Sequence, residues 1–330
     1  MEYILGFLIA AGVIFFAGKK LSTYGDLLAE ITGISKGWIG IILMASVTSL
    51  PELMVGISSV AIVGSADLAV GDILGSCAFN LGILALLDAF TPKGKAIFGI
   101  ASRSHILNAG LGIILIALVG LAMFIPHHVA ITPWIGFSSI LFIVVYLISV
   151  RMIYYNEMKQ AGNIQDRHPV PNNTDKNKVI KKYVIYAVVI IIAALTLPFF
   201  AEHIAEMSGL QQSFVGTFFL AFSTSLPEIA VSVSAVRMGS INMAVGNLLG
   251  SNIFNILILA IDDVFYTKGL LLQESAPGHL ISVFSTILMS AIVIIGLSNH
   301  TKGKKFLLAW DAVAIFIIYA INLFLLFHFS

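Results

Sequence analysis

Twice in this chain a glutamate stands in the middle of an apolar run, and both times it closes the same short segment. Ala45-Ser46-Val47-Thr48-Ser49-Leu50-Pro51-Glu52 returns as Ala221-Phe222-Ser223-Thr224-Ser225-Leu226-Pro227-Glu228, 176 residues further on. A charged group at the centre of a lipid-buried helix costs on the order of 2.5–3.5 kcal/mol on insertion scales, so such an acid requires a partner. The setting is apolar enough for that cost to apply: 58% of residues are hydrophobic and 11% charged, against about 25% charged in soluble domains. At about 20 residues per span the chain has room for roughly ten helices, and the weak, scattered alternation argues against a barrel. The single Cys77 excludes an internal disulfide and a cysteine metal cluster. A net charge of +1 carries no signal for nucleic acid.

Apolar runs broken by Gly, Pro or charge predict helices over 2–28, 36–63, 67–91, 104–126, 131–155, 182–207, 213–238, 242–267, 279–298 and 306–328. The expected fold is an all-α polytopic membrane protein of ten transmembrane helices. It divides into a first five-helix repeat (1–155), a polar linker (156–181) that holds Pro169 and Pro171, and a second five-helix repeat (182–330). Gly33, Trp38 and Gly40 stand opposite Gly209, Phe214 and Gly216 at the offset of the two glutamates. Residues 69–80 match 244–255 at an offset of 175, as do Asp88 and Asp263, which places a one-residue change in the connecting turn. Five spans per copy is an odd number, so the copies are expected to enter the membrane in opposite directions as an inverted repeat. Lys and Arg agree: the odd-numbered connections hold Lys36, Lys93, Lys95, Arg103, the linker cations, Arg237, Lys302, Lys304 and Lys305, and the even-numbered ones hold Lys268. By the positive-inside rule both termini lie outside and 156–181 is cytoplasmic, in a cell (plasma or inner) membrane. The sequons at Asn172 and Asn299 are then cytoplasmic and unglycosylated. Met1-Glu2 lacks a basic n-region, so the first apolar run reads as a retained helix.

Pro51 has no N–H for the carbonyl of Val47, and Pro227 none for that of Ser223. Each helix should break beside Thr48, Ser49 and Glu52 or beside Thr224, Ser225 and Glu228, and irregular backbone at that depth must line a cavity or be buried in protein. Ser76 and Asn80, and likewise Ser251 and Asn255, fall at i and i+4 on one helix face, with Gly75 and Gly250 permitting close approach. Every one of these donors is an oxygen, as hard cations such as calcium prefer. No His, Cys or Met joins them, which argues against zinc, copper and iron. Glu52 and Glu228 facing each other in a low dielectric repel strongly; one divalent ion, two monovalent ions or two protons would neutralise them, and a site that accepts either load can exchange them. No nucleophile or metal dyad for an enzyme is evident. Asp72, near the start of its helix, is expected to serve the helix dipole. Asp88, Asp262 and Asp263 are expected at the water interface, and Cys77 as a small apolar residue in a packed helix.

The paired Thr-Ser-Leu-Pro-Glu segments, each followed by Gly-Ser-x-x-x-Asn, resemble the alpha repeats of the cation/calcium exchanger superfamily, specifically its sodium/calcium exchanger branch. The likeness is most specific over 40–84 and 216–259. It implies an antiporter that exchanges calcium for sodium by alternating access, sliding its first and sixth helices across a core of the others. Glu52 and Glu228 would be the central calcium ligands; Thr48, Ser49, Thr224, Ser225, Ser76 and Ser251, with the carbonyls of Ala45 and Ala221, would serve sodium; Asn80 and Asn255 would complete the middle. Members that also use potassium tend to carry Asp where Asn255 stands, so no potassium requirement is expected. Cys77 and Asp72 depart from the family pattern, in which Asn or Ala and Asn are commoner. The expected partners are calcium, sodium and the bilayer, with no cofactor, no nucleic acid and a monomer as the working unit. A calcium/proton antiporter is the alternative, and a cation channel ranks behind both.

Overall fold

The computed structural model describes residues 2–32, 45–92, 94–124, 131–161, 176–237, 239–299, 303–304 and 306–329. In chain order the helices are α1 (Glu2–Thr32), α2 (Ala45–Thr48), α3 (Leu50–Ser58), α4 (Ala66–Leu87), α5 (Ile97–Ile100), α6 (His105–Ala122), α7 (Phe137–Ala161), α8 (Lys176–Ser208), α9 (Gln212–Val215), α10 (Ala221–Thr224), α11 (Leu226–Arg237), α12 (Ile241–Phe265), α13 (Leu271–Glu274), α14 (His279–Asn299) and α15 (Trp310–Phe329). Among the described residues eight of these are long and apolar enough to cross a membrane, or nine when the bent pair of 212–224 and 226–237 is taken as one span. The remaining expected span, 36–63, is represented by α2 and α3; its first part, with Lys36, Trp38 and Gly40, lies outside the described residues, as does Gly33.

Several boundaries differ from the apolar windows. Helices α1, α7 and α8 continue past 28, 155 and 182 into polar sequence, so the interval between the halves narrows from 156–181 to 162–175, which lies outside the described residues. Helix α7 starts at Phe137 rather than 131, because Pro133 has no N–H to join a ladder and Ile131 N instead donates to Ile135 O (2.9 Å) in a turn. The one-residue change in offset is not in the connecting turn. Twelve residues separate Pro51 from Gly64 and eleven separate Pro227 from Gly239, and the extra one is absorbed in a π-turn at Ser59–Val63 that ends α3. Gly64 (φ 75°) and Gly239 (φ 81°) then adopt the left-handed conformation that reverses the chain.

Helices α4 and α12 form the centre and are buried along most of their length, whereas α7, α8 and α15 are mostly exposed. The exposed faces carry large apolar side chains such as Leu147, Ile192 and Phe324, as a lipid-facing shell requires. Helix α1 packs chiefly on α8, and this pair leans on α3 and α11. At Gly18 the contact is close enough that an added Cβ would sit 2.5 Å from Pro227 Cγ.

Backbone-to-backbone packing holds α4 against a second π-turn, Gly216–Leu220. A Cβ on Gly75 would stand 2.5 Å from Thr217 O and 2.7 Å from Thr217 Cα, atoms that cannot step aside as a side chain can. Gly75→Ala is therefore expected to destabilise the protein by about 1–3 kcal/mol. Thermal unfolding in detergent reads this, with Gly112→Ala as the neutral control because a Cβ there meets nothing within 4 Å.

The four-residue helices α5 and α13 were not expected. Each starts on a buried acid: Ile97 N donates to Asp88 Oδ1 (2.7 Å) and Leu271 N to Asp263 Oδ1 (3.0 Å). The same two carboxylates receive the start of the last long helix of the other half. Ala309 N donates to Asp88 Oδ2 (2.7 Å), while Gly136 N (2.9 Å) and Ser139 Oγ (2.5 Å) donate to Asp263 Oδ2. The expectation that Asp88, Asp262 and Asp263 face water is thus corrected: all three are buried, because the chain folds short helices back over the ends where they sit.

Candidate functional site

Both helix breaks have the form their prolines dictate. A single residue, Ser49 (φ −87°, ψ 12°), separates α2 from α3, and Ser225 (φ −82°, ψ 7°) separates α10 from α11, where the axis bends by 46°. Ser49 N donates to Ala45 O (3.0 Å) and Ser225 N to Ala221 O (3.1 Å). Those two carbonyls also accept Thr48 Oγ1 and Thr224 Oγ1, each at 3.3 Å. The expected sodium-serving oxygens of Ala45 and Ala221 are therefore engaged by their own helices here.

All twelve expected site residues, Ala45, Thr48, Ser49, Glu52, Ser76, Asn80, Ala221, Thr224, Ser225, Glu228, Ser251 and Asn255, are buried. Hydrogen bonds cross between the halves. Ser225 Oγ donates to Glu52 Oε1 (3.2 Å), and Ser49 Oγ donates to Glu228 Oε1 (3.3 Å), which also accepts Ser251 Oγ (3.4 Å). Ser76 Oγ lies 3.2 Å from Ser225 Oγ and 3.3 Å from Thr224 Oγ1. Thr224 Oγ1 donates to Asp72 Oδ1 (3.0 Å), and its twin Thr48 Oγ1 reaches Asn247 Oδ1 (3.5 Å), the position that matches Asp72. Asp72 thus belongs to this cluster rather than only to a helix dipole. Its pairing with Asn247 at an offset of 175 was the signal that could have found it.

Asn80 and Asn255 close the same space from α4 and α12. Asn80 Nδ2 donates to Asn252 Oδ1 (3.0 Å) and Asn252 Nδ2 to Cys77 O (3.0 Å), while Asn255 Nδ2 faces Cys77 Sγ at 3.8 Å. Asn252, the twin of Cys77, went unnoticed because only the shared residues of the two copies drew attention. Cys77 itself is buried, as a small residue in a packed helix should be.

What the network leaves over is chemically specific. Glu52 Oε2, Glu228 Oε2, Asp72 Oδ2, Asn80 Oδ1 and Asn255 Oδ1 are buried with no hydrogen-bond partner among the described residues. Three of these belong to carboxyl groups close enough for their charges to act on one another. The ion pairs among the described residues, His279–Asp67 and Lys304–Asp88, lie elsewhere, so no Lys or Arg there pairs with the three. No three His, Cys, Asp or Glu among the described residues form a ready metal cage. The donors are carboxylates in a shell of hydroxyl and amide oxygens, which suits a hard, exchangeable cation better than a resident metal.

Residues 2–155 and 183–328 match the family model described as sodium/calcium exchanger protein. Sodium/calcium exchanger MaX1 of Methanosarcina acetivorans is 33% identical over 150 residues, 44% of this chain and 41% of that protein. In fold the chain is similar to the sodium-calcium exchanger NCX_Mj, with a TM-score of 0.64 and 20% identity over 97% of this chain and 98% of that one. It is also similar to the H+/Ca2+ exchanger CAX, with a TM-score of 0.71 and 14% identity over 98% and 82%. With the match running through both halves, this multi-pass integral membrane protein belongs to the sodium/calcium exchanger protein family.

Proposed function

We propose that the chain is a secondary antiporter that exchanges calcium for sodium through a site shared by Glu52 and Glu228. The observation that carries this reading is the set of five buried oxygens without partners, contributed by Glu52, Glu228, Asp72, Asn80 and Asn255. Leaving such oxygens bare in a low dielectric is costly, and a cation among them removes both the lost hydrogen bonds and the repulsion. Glu52 and Glu228 take calcium, and Asn80 and Asn255 complete its shell. Thr48, Ser49, Ser76, Thr224, Ser225 and Ser251 serve sodium when calcium has left. Ala45 and Ala221 join them when Thr48 and Thr224 turn their hydroxyl protons to Asn247 and Asp72, which frees a lone pair on each carbonyl.

The two halves, 1–155 and 182–330, form an inverted repeat, a reading supported by the reciprocal Ser225–Glu52 and Ser49–Glu228 bonds. Both termini lie outside and the linker is cytoplasmic, as the Lys and Arg distribution favours. Alternating access comes from α1 and α8 sliding over the rest; their packing chiefly on each other, with the small Gly18 against Pro227, suits that motion. One chain contributes both halves of the site, so a monomer suffices, and no cofactor is needed.

Proteoliposomes test the coupling. An outward sodium gradient is expected to drive uptake of labelled calcium, and a pH gradient without sodium is expected not to. The likeness to the H+/Ca2+ exchanger CAX makes proton coupling the second reading, and uptake driven by pH alone would establish it in place of the first. Conductance that persists with no counter-ion on the far side would replace both with a channel.

A further inference from the structure

Helices α1 and α8 pack chiefly on each other, yet a groove of about 700 Å³ stays open between them, within the ~300–1,000 Å³ typical of small-molecule sites. Leu8, Ile9, Val13 and Phe16 of α1 and Val189 of α8 line it, and the four α1 side chains are exposed. Gly12 lines it too, and a Cβ there would meet nothing within 4 Å, so the missing side chain deepens the groove. From Leu8 to Lys20 the helix rises about 18 Å, close to the ~15 Å of hydrocarbon in one leaflet. The apolar slot therefore has the depth of a single acyl chain.

One end of the groove is basic. Lys19, Lys20 and Tyr186 close it, both lysines are exposed, and neither makes an ion pair among the described residues. The apolar span that begins at Glu2 ends at Leu21, so the two ammonium groups stand where hydrocarbon gives way to headgroups. A third cation stands behind Tyr186: its ring stacks on that of Tyr24, with centroids 5.8 Å apart, and Tyr24 Oη accepts Lys182 Nζ (3.0 Å). A lysine on an apolar surface keeps its charge where water or a counter-charge meets its tip. Here two such tips share the mouth of one slot, which matches a molecule with an apolar chain and a negative head.

We propose that the groove between α1 and α8 binds one anionic phospholipid, its phosphate held by Lys19 and Lys20 and an acyl chain lying along Gly12 and Val13. Basic pockets between membrane helices hold anionic headgroups in this way. A zwitterionic headgroup brings a cation of its own to the lysines, so the site selects for net negative charge. The lipid touches both helices and ties their contact to the composition of the bilayer. Its binding stands apart from the antiport reading, which gives no role to Lys19, Lys20 or Gly12.

Native mass spectrometry of the full chain in neutral detergent, titrated with phosphatidylglycerol or phosphatidylcholine, tests the site through the first lipid bound. Phosphatidylglycerol is expected to bind about thirtyfold more tightly, the equivalent of ~1 kcal/mol from each lysine. Lys19→Gln combined with Lys20→Gln is expected to remove that preference and to leave phosphatidylcholine binding unchanged. Gly12→Phe fills the slot without touching the charges and is expected to weaken both lipids alike, with thermal unfolding reporting that each variant is folded. Equal binding of the two lipids by the unaltered chain, a preference that survives the double substitution, or lipid binding untouched by Gly12→Phe would overturn the site. Failure of the antiport reading would show separately, as transport that survives Glu52→Gln.

Discussion

Glu52→Gln and Glu228→Gln are each expected to bring calcium flux in proteoliposomes to background while the protein remains folded. Glutamine keeps the size of the side chain and the oxygen that Ser225 or Ser49 bonds, so the cross-half contacts at 3.2 and 3.3 Å can persist. What it removes is one of two negative charges that would compensate a divalent ion in a buried site. Taking one partner from a buried charge pair costs about 3–5 kcal/mol, which is at least a hundredfold in calcium affinity. Size-exclusion profiles in detergent report folding, calcium titration reports binding, and flux reports transport. Full transport in either variant would remove that glutamate from the site. The pseudo-symmetry sharpens the comparison, because a site shared by both halves must fail whichever acid is neutralised.

Most of the repeated polar residues lie together as their spacing suggests, whereas the repeated acids Asp88 and Asp263 are buried rather than facing water, and the residues that differ between the copies were harder to read. Duplication of a costly acid next to a proline pointed to a broken helix at membrane depth, and Ser49 and Ser225 stand at the two breaks. Ser76, Asn80, Ser251 and Asn255 followed from helical spacing, since i and i+4 share a face whatever the tertiary context. Asn252 received no role, and Asp72 and Asp262 were read as a helix-dipole partner and an interfacial acid, because their twins Cys77, Asn247 and Leu87 are chemically different and the comparison of copies rewards likeness. Helices α5 and α13 are four residues long, too short for any period to register. Without them the helix ends would leave Asp88 and Asp263 facing water. The π-turn at Ser59–Val63 left a trace, one surplus residue between Pro51 and Gly64, but counting alone does not say whether a helix or a turn takes up the slack.

Asp263→Ala is expected to lower stability by about 3–5 kcal/mol, the range for breaking a buried polar network at several points. Asp263 receives Leu271 N, Gly136 N and Ser139 Oγ. Removing the carboxylate strands two buried backbone N–H groups at the starts of α13 and α7. Asparagine can still accept through its one remaining oxygen, so Asp263→Asn is expected to lose roughly half as much. Thermal unfolding in detergent separates the two, and equal losses from both variants would show that the charge, not the hydrogen bonds, is what matters at this position. Asp88 makes the matching contacts to Ile97 N and Ala309 N but has Lys304 Nζ 4.0 Å from its carboxylate. Asp88→Ala therefore also leaves a lysine with a buried side chain without its counter-charge. Each of these acids belongs to one half and holds the first turn of the other half's last long helix. A fold tied in that way holds α15 to the end of α4 and α7 to the end of α12, whereas neither acid touches α1 or α8.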